Sequence, residues 1–270
     1  MDKVPQPSRY YDISDYARPV ALRIVRWLLP TPITSLQVTL AFIVVGLVAA
    51  YLFAVGSREA QIAAGLLLIV KSGIDAVDGA LARARNRPSR VGRFADTLGD
   101  LLVNTCLFAG IIWAEYQRGA DFGATLLLGI VALAAMTWQA TVGNYFSVRY
   151  RIQTSGDTTS RIRETEADAY PWDNARVLAI LLFIYQFIYA WQDRLIAALD
   201  QRILAGRRPM LASKAFMTAT TVFGLGTQLA IITLFALIGR PVLAFWAFVG
   251  PLNAYWIFLL WLRARDSVEG

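Results

Sequence analysis

The strongest constraint on this chain is the recurrence of apolar runs about as long as a bilayer is thick. Residues 36–55 contain no charged side chain. At about 1.5 Å per residue such a run, as a helix, spans a hydrocarbon core roughly 30 Å thick. Comparable runs recur at residues 62–81, 94–113, 122–145, 215–237 and 242–261. With 57% hydrophobic residues and a mean hydropathy of +0.49, the chain falls outside the soluble range. The pattern predicts an all-α integral membrane protein with six transmembrane helices, forming a single membrane-embedded domain over residues 1–270.

Two further segments read as helices that lie along the membrane rather than across it. Within residues 14–29, Ala17, Val20, Ala21, Ile24, Trp27 and Leu28 share one helical face, with Arg18, Arg23 and Arg26 off it. This is the pattern of an amphipathic interfacial helix, ended by Pro30 and Pro32. Residues 1–10 are polar and lack the apolar core of a signal peptide. Residues 177–191 are apolar over too short a stretch to cross comfortably, and arginines flank them on both sides. An extra interfacial or re-entrant helix, continuing to about Leu204 before the fifth span, is expected there. Residues 152–212 as a whole read as a cytoplasmic or interfacial insertion.

Charge sets the expected orientation. The net charge is +7, but the arginines cluster in short loops beside the apolar runs, so the basic balance points to membrane topology and not to nucleic acid. Arg83, Arg85, Arg87, Arg90 and Arg93 crowd one turn, and Arg149, Arg151, Arg263 and Arg265 follow later spans. These loops and both termini are expected in the cytoplasm, with the protein in the cell (plasma) membrane. The chain has no histidine and one cysteine, Cys106, inside an apolar run. That excludes histidine-based triads, histidine metal sites and a disulfide within the chain.

Against this apolar background, four carboxylates stand out. Asp75 and Asp78 are spaced i, i+3, and Asp96 and Asp100 are spaced i, i+4, so each pair occupies one helical face. The short linker lets the two helices run antiparallel with those faces together. Four negative charges in a poorly polarisable surround repel unless cations lie among them. An all-oxygen donor set fits Mg²⁺ or Mn²⁺, as one ion or two, better than zinc or copper. Gly79 and Gly92 remove side chains beside the carboxylates, and Arg83, one turn past Gly79, is placed to meet phosphate oxygens.

Asp75, Asp78, Gly79, Ala82, Arg83, Gly92, Asp96 and Asp100 match the signature DxxDGxxARx(8)GxxxDxxxD at every fixed position. In this the chain resembles the CDP-alcohol phosphatidyltransferases over roughly residues 14–150 and 213–262. The resemblance implies six helices, a homodimer, and transfer of a phospho-alcohol from a CDP-linked donor to an alcohol acceptor with release of CMP. It also implies that Asp75, Asp78 and Asp96 bind metal, and that Asp100 is the general base beside or among the ligands. Asp75, Asp78, Gly79, Ala82, Arg83 and Gly92 would form the CDP pocket. The opening of the first span, ITSLQVT, is similar to the family's Pro-Asn-x-x-Thr turn, with Ser35 and Leu36 in place of proline and asparagine.

Outside the motif, Lys71 is expected to neutralise Asp75 one turn away, or else to attract an anionic acceptor. Arg149 and Lys214 are further acceptor-phosphate candidates, with lipid anchoring and snorkelling as their plainer roles. Asn104, on the face of Asp100, is expected to hydrogen-bond between helices. The leading functional reading is phosphatidyl transfer from CDP-diacylglycerol to a polar alcohol. A close variant is a CDP-choline or CDP-ethanolamine phosphotransferase acting on diacylglycerol. A reading of another class is a divalent-cation channel or transporter, disfavoured because the far halves of the spans are apolar.

Overall fold

A computed structural model describes residues 4–154, 169–204 and 212–266. Among them the chain is helical throughout, with ten α-helices and two short 3-10 turns. The first helix, α1 (Arg18–Leu28), turns Ala21 and Val25 inward and leaves Trp27 76% exposed. It is amphipathic as expected. Next comes α2 (Ser35–Val55), opened by a capping box in which Thr34 and Gln37 bond each other's backbone N–H groups, at 3.2 and 2.8 Å. Ala21 and Val25 of α1 pack with Val38 of α2 and with Val77, Ala80 and Leu81 of α3 (Arg58–Ala84).

The antiparallel return is α4 (Arg90–Gln117), followed by α5 (Phe122–Gln153), whose N-cap Asp121 accepts from Ala124 N at 2.7 Å. All four helices from α2 to α5 are long and apolar enough to cross a membrane. Alternation therefore puts the start of α2, the end of α3, the start of α4 and the end of α5 on one side, called here the motif side. The arginine turn is built into the fold at this end. Arg85 donates to the carbonyls of Leu28 and Thr31, both at 2.7 Å, capping α1 and bracing the approach to α2.

The next helix, α6 (Ala175–Leu204), is one unbroken rod of 30 residues. Length and composition alone would let it cross. Its contacts put both ends on the motif side. Just before it, Asp173 accepts from Ser89 Oγ at 2.6 Å and Arg90 N at 2.8 Å, at the start of α4. Near its far end, buried Asp200 accepts from Tyr145 Oη at 2.8 Å and pairs with Arg149, both close to the end of α5. The helix thus lies across the motif-side ends of its neighbours, as the flanking arginines suggested. Its outer face carries Ile180, Phe183 and Phe187, the last 80% exposed.

Beyond residues 205–211, which lie outside the described part, α7 (Lys214–Thr220) and α8 (Leu225–Leu237) form a bent pair that together is long and apolar enough to cross a membrane. The two halves, Lys214–Phe223 and Leu225–Leu237, meet at 50°. The sequence reading treats residues 215–237 as one span. The bend falls at Gly224, and close approach of the N-terminal segment explains why glycine stands nearby: a Cβ on Gly226 would overlap the Ser14 carbonyl. The chain closes with α9 (Leu243–Val249) and α10 (Pro251–Asp266), whose Arg263 Nε lies 3.8 Å from Asp200 Oδ1. The main core runs between α2, α3, α4, α5 and α8–α10, with Phe108 stacked on Phe245 at 4.5 Å. The fold is an all-α membrane architecture with the crosswise α6 added at one edge.

Candidate active site

The aspartate spacing works out in three dimensions because α3 and α4 run antiparallel beside the arginine turn. Asp75 and Asp78 from α3 and Asp96 from α4 offer carboxylate oxygens that all lie within 4.8 Å of one another. They open on a cavity of about 490 Å³, and all eight motif positions line it. Each carboxylate is held differently. Thr39 of α2 donates to Asp78 Oδ2 at 2.7 Å in a buried contact, which fixes that carboxylate's orientation. Asp96 keeps a buried Oδ1 with no hydrogen-bond partner among the described residues. An orphaned carboxylate oxygen beside two other carboxylates fits a cation, and the hard oxygen donors fit Mg²⁺ or Mn²⁺.

Asp100 stands apart from this trio. Lys71, fully buried on α3, makes an ion pair with Asp100 and lies 4.5 Å from the ring centroid of Phe42. Lys71 is expected to neutralise Asp75 one turn away; Asp75 is indeed a neighbouring opposite charge, but the direct ion pair is with Asp100, which the packing of α3 against α4 brings to it. Asp100 still faces the cavity.

The donor half of the cavity follows the motif. A Cβ on Gly79 would come 3.2 Å from Arg83 Nη1, so the glycine gives the guanidinium its place above the helix. Ser89, the N-cap of α4, accepts from Gly92 N at 2.8 Å while donating to Asp173. Arg87 lies 5.3 Å from the ring of Trp172, whose Nε1 donates to Pro88 O at 2.7 Å. The arginine turn is therefore pinned by the segment leading into α6.

The three acceptor-phosphate candidates are placed elsewhere than expected. Lys71 is engaged by Asp100. Arg149 is engaged by Asp200, with Tyr145 Oη 3.1 Å from Arg149 Nη1. Lys214 is exposed at the start of α7 and is not among the cavity-lining residues. Besides Arg83, the arginines that do line the cavity are Arg18, Arg93 and Arg151. Arg151 is two positions past Arg149, about 200° around a helix of 3.6 residues per turn, so which of the two faces inward depends on the register of α5.

Several lining residues are not apparent from the motif. Thr39 belongs to the Pro-Asn-x-x-Thr-like turn and reaches Asp78 even though Ser35 and Leu36 depart from that pattern. The crosswise helix contributes Tyr185, Tyr189 and Asp193, spaced i, i+4, i+8 on one face. Phe94, Tyr185 and Tyr189 form a chain of ring contacts with centroids 5.1 Å apart at each step, and Tyr185 Oη donates to Asp193 Oδ2 at 3.2 Å. Two tyrosines and an aspartate at four-residue intervals in an otherwise apolar run were the available signal.

Comparison with known proteins agrees with this geometry. The chain is 38% identical over 89 residues to the archaetidylinositol phosphate synthase of Pyrococcus horikoshii. That similarity covers 33% of this chain and 46% of the relative, so the chain spans less than half the length of the curated protein it matches. The family described as CDP-alcohol phosphatidyltransferase matches residues 27–225, a stretch that runs from the end of α1 to the start of α8 and contains every motif position. With most of its length matched and the full signature gathered on one cavity, the chain belongs to the CDP-alcohol phosphatidyltransferase family.

Proposed function

We propose that this protein transfers a phosphatidyl-type group from a CDP-linked lipid to a polar alcohol, releasing CMP. The observation that carries the reading is the convergence of all eight motif residues on one cavity, with three carboxylates close enough to share cations. The acceptor hydroxyl oxygen attacks the lipid-bearing phosphorus, the bond from that phosphorus to the bridging oxygen breaks, and CMP departs with that oxygen. The hydroxyl proton passes to the Asp100 carboxylate, which buried Lys71 holds through an ion pair. Asp75, Asp78 and Asp96 would hold one or two Mg²⁺ or Mn²⁺ ions, which supply charge stabilisation at the diphosphate and the departing oxygen. Arg83 grips the phosphates and excludes misaligned approaches, while Gly79 and Gly92 leave room for the nucleotide.

A CDP-diacylglycerol-type donor with a phosphorylated acceptor is favoured over the CDP-choline type. The matched relative is named for an inositol phosphate product, and Arg93 and Arg151 line the cavity in addition to Arg83 and the Asp15-paired Arg18, as contacts for an anionic acceptor. The motif side faces the cytoplasm of the cell membrane, since the arginine-rich ends gather there. The working form is a homodimer, as the family resemblance implies.

The test is a reaction panel. Purified protein receives CDP-diacylglycerol or CDP-ethanolamine, Mg²⁺ and candidate acceptors, and CMP and new lipid mass are followed. Acceptor-dependent CMP release from CDP-diacylglycerol is the expected result. No CMP from any donor with folded protein would overturn the transferase reading.

A further inference from the structure

The crosswise helix α6 puts side chains into the cavity that the signature does not account for. It passes from α4 to α5. Tyr185 meets Phe94 of α4 with ring centroids 5.1 Å apart, and two turns on, Gln192 Oε1 accepts from Thr141 Oγ1 of α5 at 3.0 Å. Tyr189 lies between these two anchor points, one helical turn past Tyr185. Both tyrosines line the cavity together with Asp96 and Asp100.

Their hydroxyls are in different situations. Tyr185 is buried, and its Oη donates to Asp193 Oδ2 at 3.2 Å. Tyr189 is half-buried, with its ring stacked on Tyr185 at 5.1 Å and 27°. Its Oη bonds no described residue and is not sealed within the core. The carboxylates whose charge bears on that hydroxyl are Asp100 and Asp193. The phenol is therefore held by its ring, open at its oxygen, and near the carboxylate assigned to the proton.

That placement answers a need of the reaction. An alcohol held by Asp100 alone can swing about its one hydrogen bond. Its oxygen has two lone pairs, and while one forms the bond to phosphorus the other can accept from a second donor. A cationic donor there would favour the charged carboxylate and oppose proton uptake by it. A phenol donates without adding charge. Because the ring is already stacked in place, alignment requires little rearrangement.

We propose that Tyr189 is a further catalytic residue, donating its hydroxyl hydrogen to the attacking oxygen of the acceptor while that oxygen passes its own hydrogen to Asp100. The phenol keeps its proton throughout. The bond formed joins the acceptor oxygen to phosphorus, and the bond broken is the one to the oxygen that leaves with CMP. The inference rests on the transferase reading and adds to it a residue from outside the signature.

Tyr189→Phe keeps the stacked ring and removes only the oxygen. The full chain is assayed with Mg²⁺ and CDP-diacylglycerol, and in parallel with an inositol phosphate, glycerol 3-phosphate and L-serine. The expected result is a kcat lowered about ten- to hundredfold, as for lost alignment at a reacting atom. The factor should be the same with every acceptor that wild type uses, since each presents the same kind of attacking oxygen. The donor KM and calorimetric binding of CDP should stay within about twofold. The unfolding temperature should hold, because Oη bonds no described residue. A kcat within about twofold of wild type, a loss confined to one acceptor, or a loss that follows the donor KM or a lowered unfolding temperature would each overturn the assignment. Those outcomes leave wild-type turnover intact, whereas wild type that binds no CDP and releases no CMP would overturn the transferase reading and this role together.

Discussion

The buried ammonium of Lys71 pairs with Asp100 on the neighbouring helix, not with Asp75 on its own. One carboxylate is thereby separated from the trio that can share cations, and it has its own counter-charge. In the proposed transferase this divides the labour, with three acids for metal and one, paired with Lys71, for the proton.

Removing that counter-charge should therefore disturb both fold and chemistry. Lys71→Met leaves Asp100 without its buried partner, and a loss of about 3–5 kcal/mol in stability is expected, read as a lowered unfolding temperature in detergent. Adding Asp100→Asn should recover most of the unfolding temperature and none of the turnover. Recovery of turnover in the double variant would refute Asp100 as the base.

Thr39 would act one step away from a metal held by the trio, through Asp78. Thr39→Val removes a hydrogen bond to a carboxylate, a contact of about 1.5–3 kcal/mol. The Mn²⁺ concentration for half-maximal activity should rise roughly tenfold or more while the helical circular dichroism is unchanged. A metal titration that matches wild type would show that Asp78 needs no help from α2.

At Gly79 the expected effect is on the donor alone. Gly79→Ala places a methyl 3.2 Å from Arg83 Nη1, at the mobile end of a side chain, so stability should hold. Displacing the guanidinium weakens one phosphate contact by about 1 kcal/mol, or about fivefold in donor KM. Steady-state kinetics against donor and acceptor separately will distinguish this from a general loss.

The far end of α6 gives a purely structural prediction. Asp200 is fully buried and serves Tyr145, Arg149 and Arg263 at once. Asp200→Ala leaves two arginines facing each other without their anion, with an expected destabilisation of about 3–5 kcal/mol. Thermal unfolding checks it, and Arg149→Met combined with Asp200→Ala should be milder than Asp200→Ala alone.

What could be read from the residues divides along a physical line. Helical spacing determines which side chains share a face, so the pairs Asp75–Asp78 and Asp96–Asp100 are legible in one dimension. The long apolar runs are legible for the same reason. Partners across helices are not, because they depend on register: Lys71 finds Asp100, Arg149 finds Asp200, and Arg151 turns to the cavity. Hydropathy also understates α6, since Asp193 and Asp200 look like solvated charges until their buried partners on other elements are known. Nor does the sequence mark the 50° bend in residues 214–237, where apolarity continues through Gly224.

The crosswise helix has one more consequence. It is moored at Asp173 to the start of α4 and at Asp200 to the ends of α5 and α10, so it cannot swing on a single hinge as a flap would. A long-chain donor of the proposed kind would therefore have to thread around a fixed beam, with the gaps between that beam and the upright helices setting the width of its doorway.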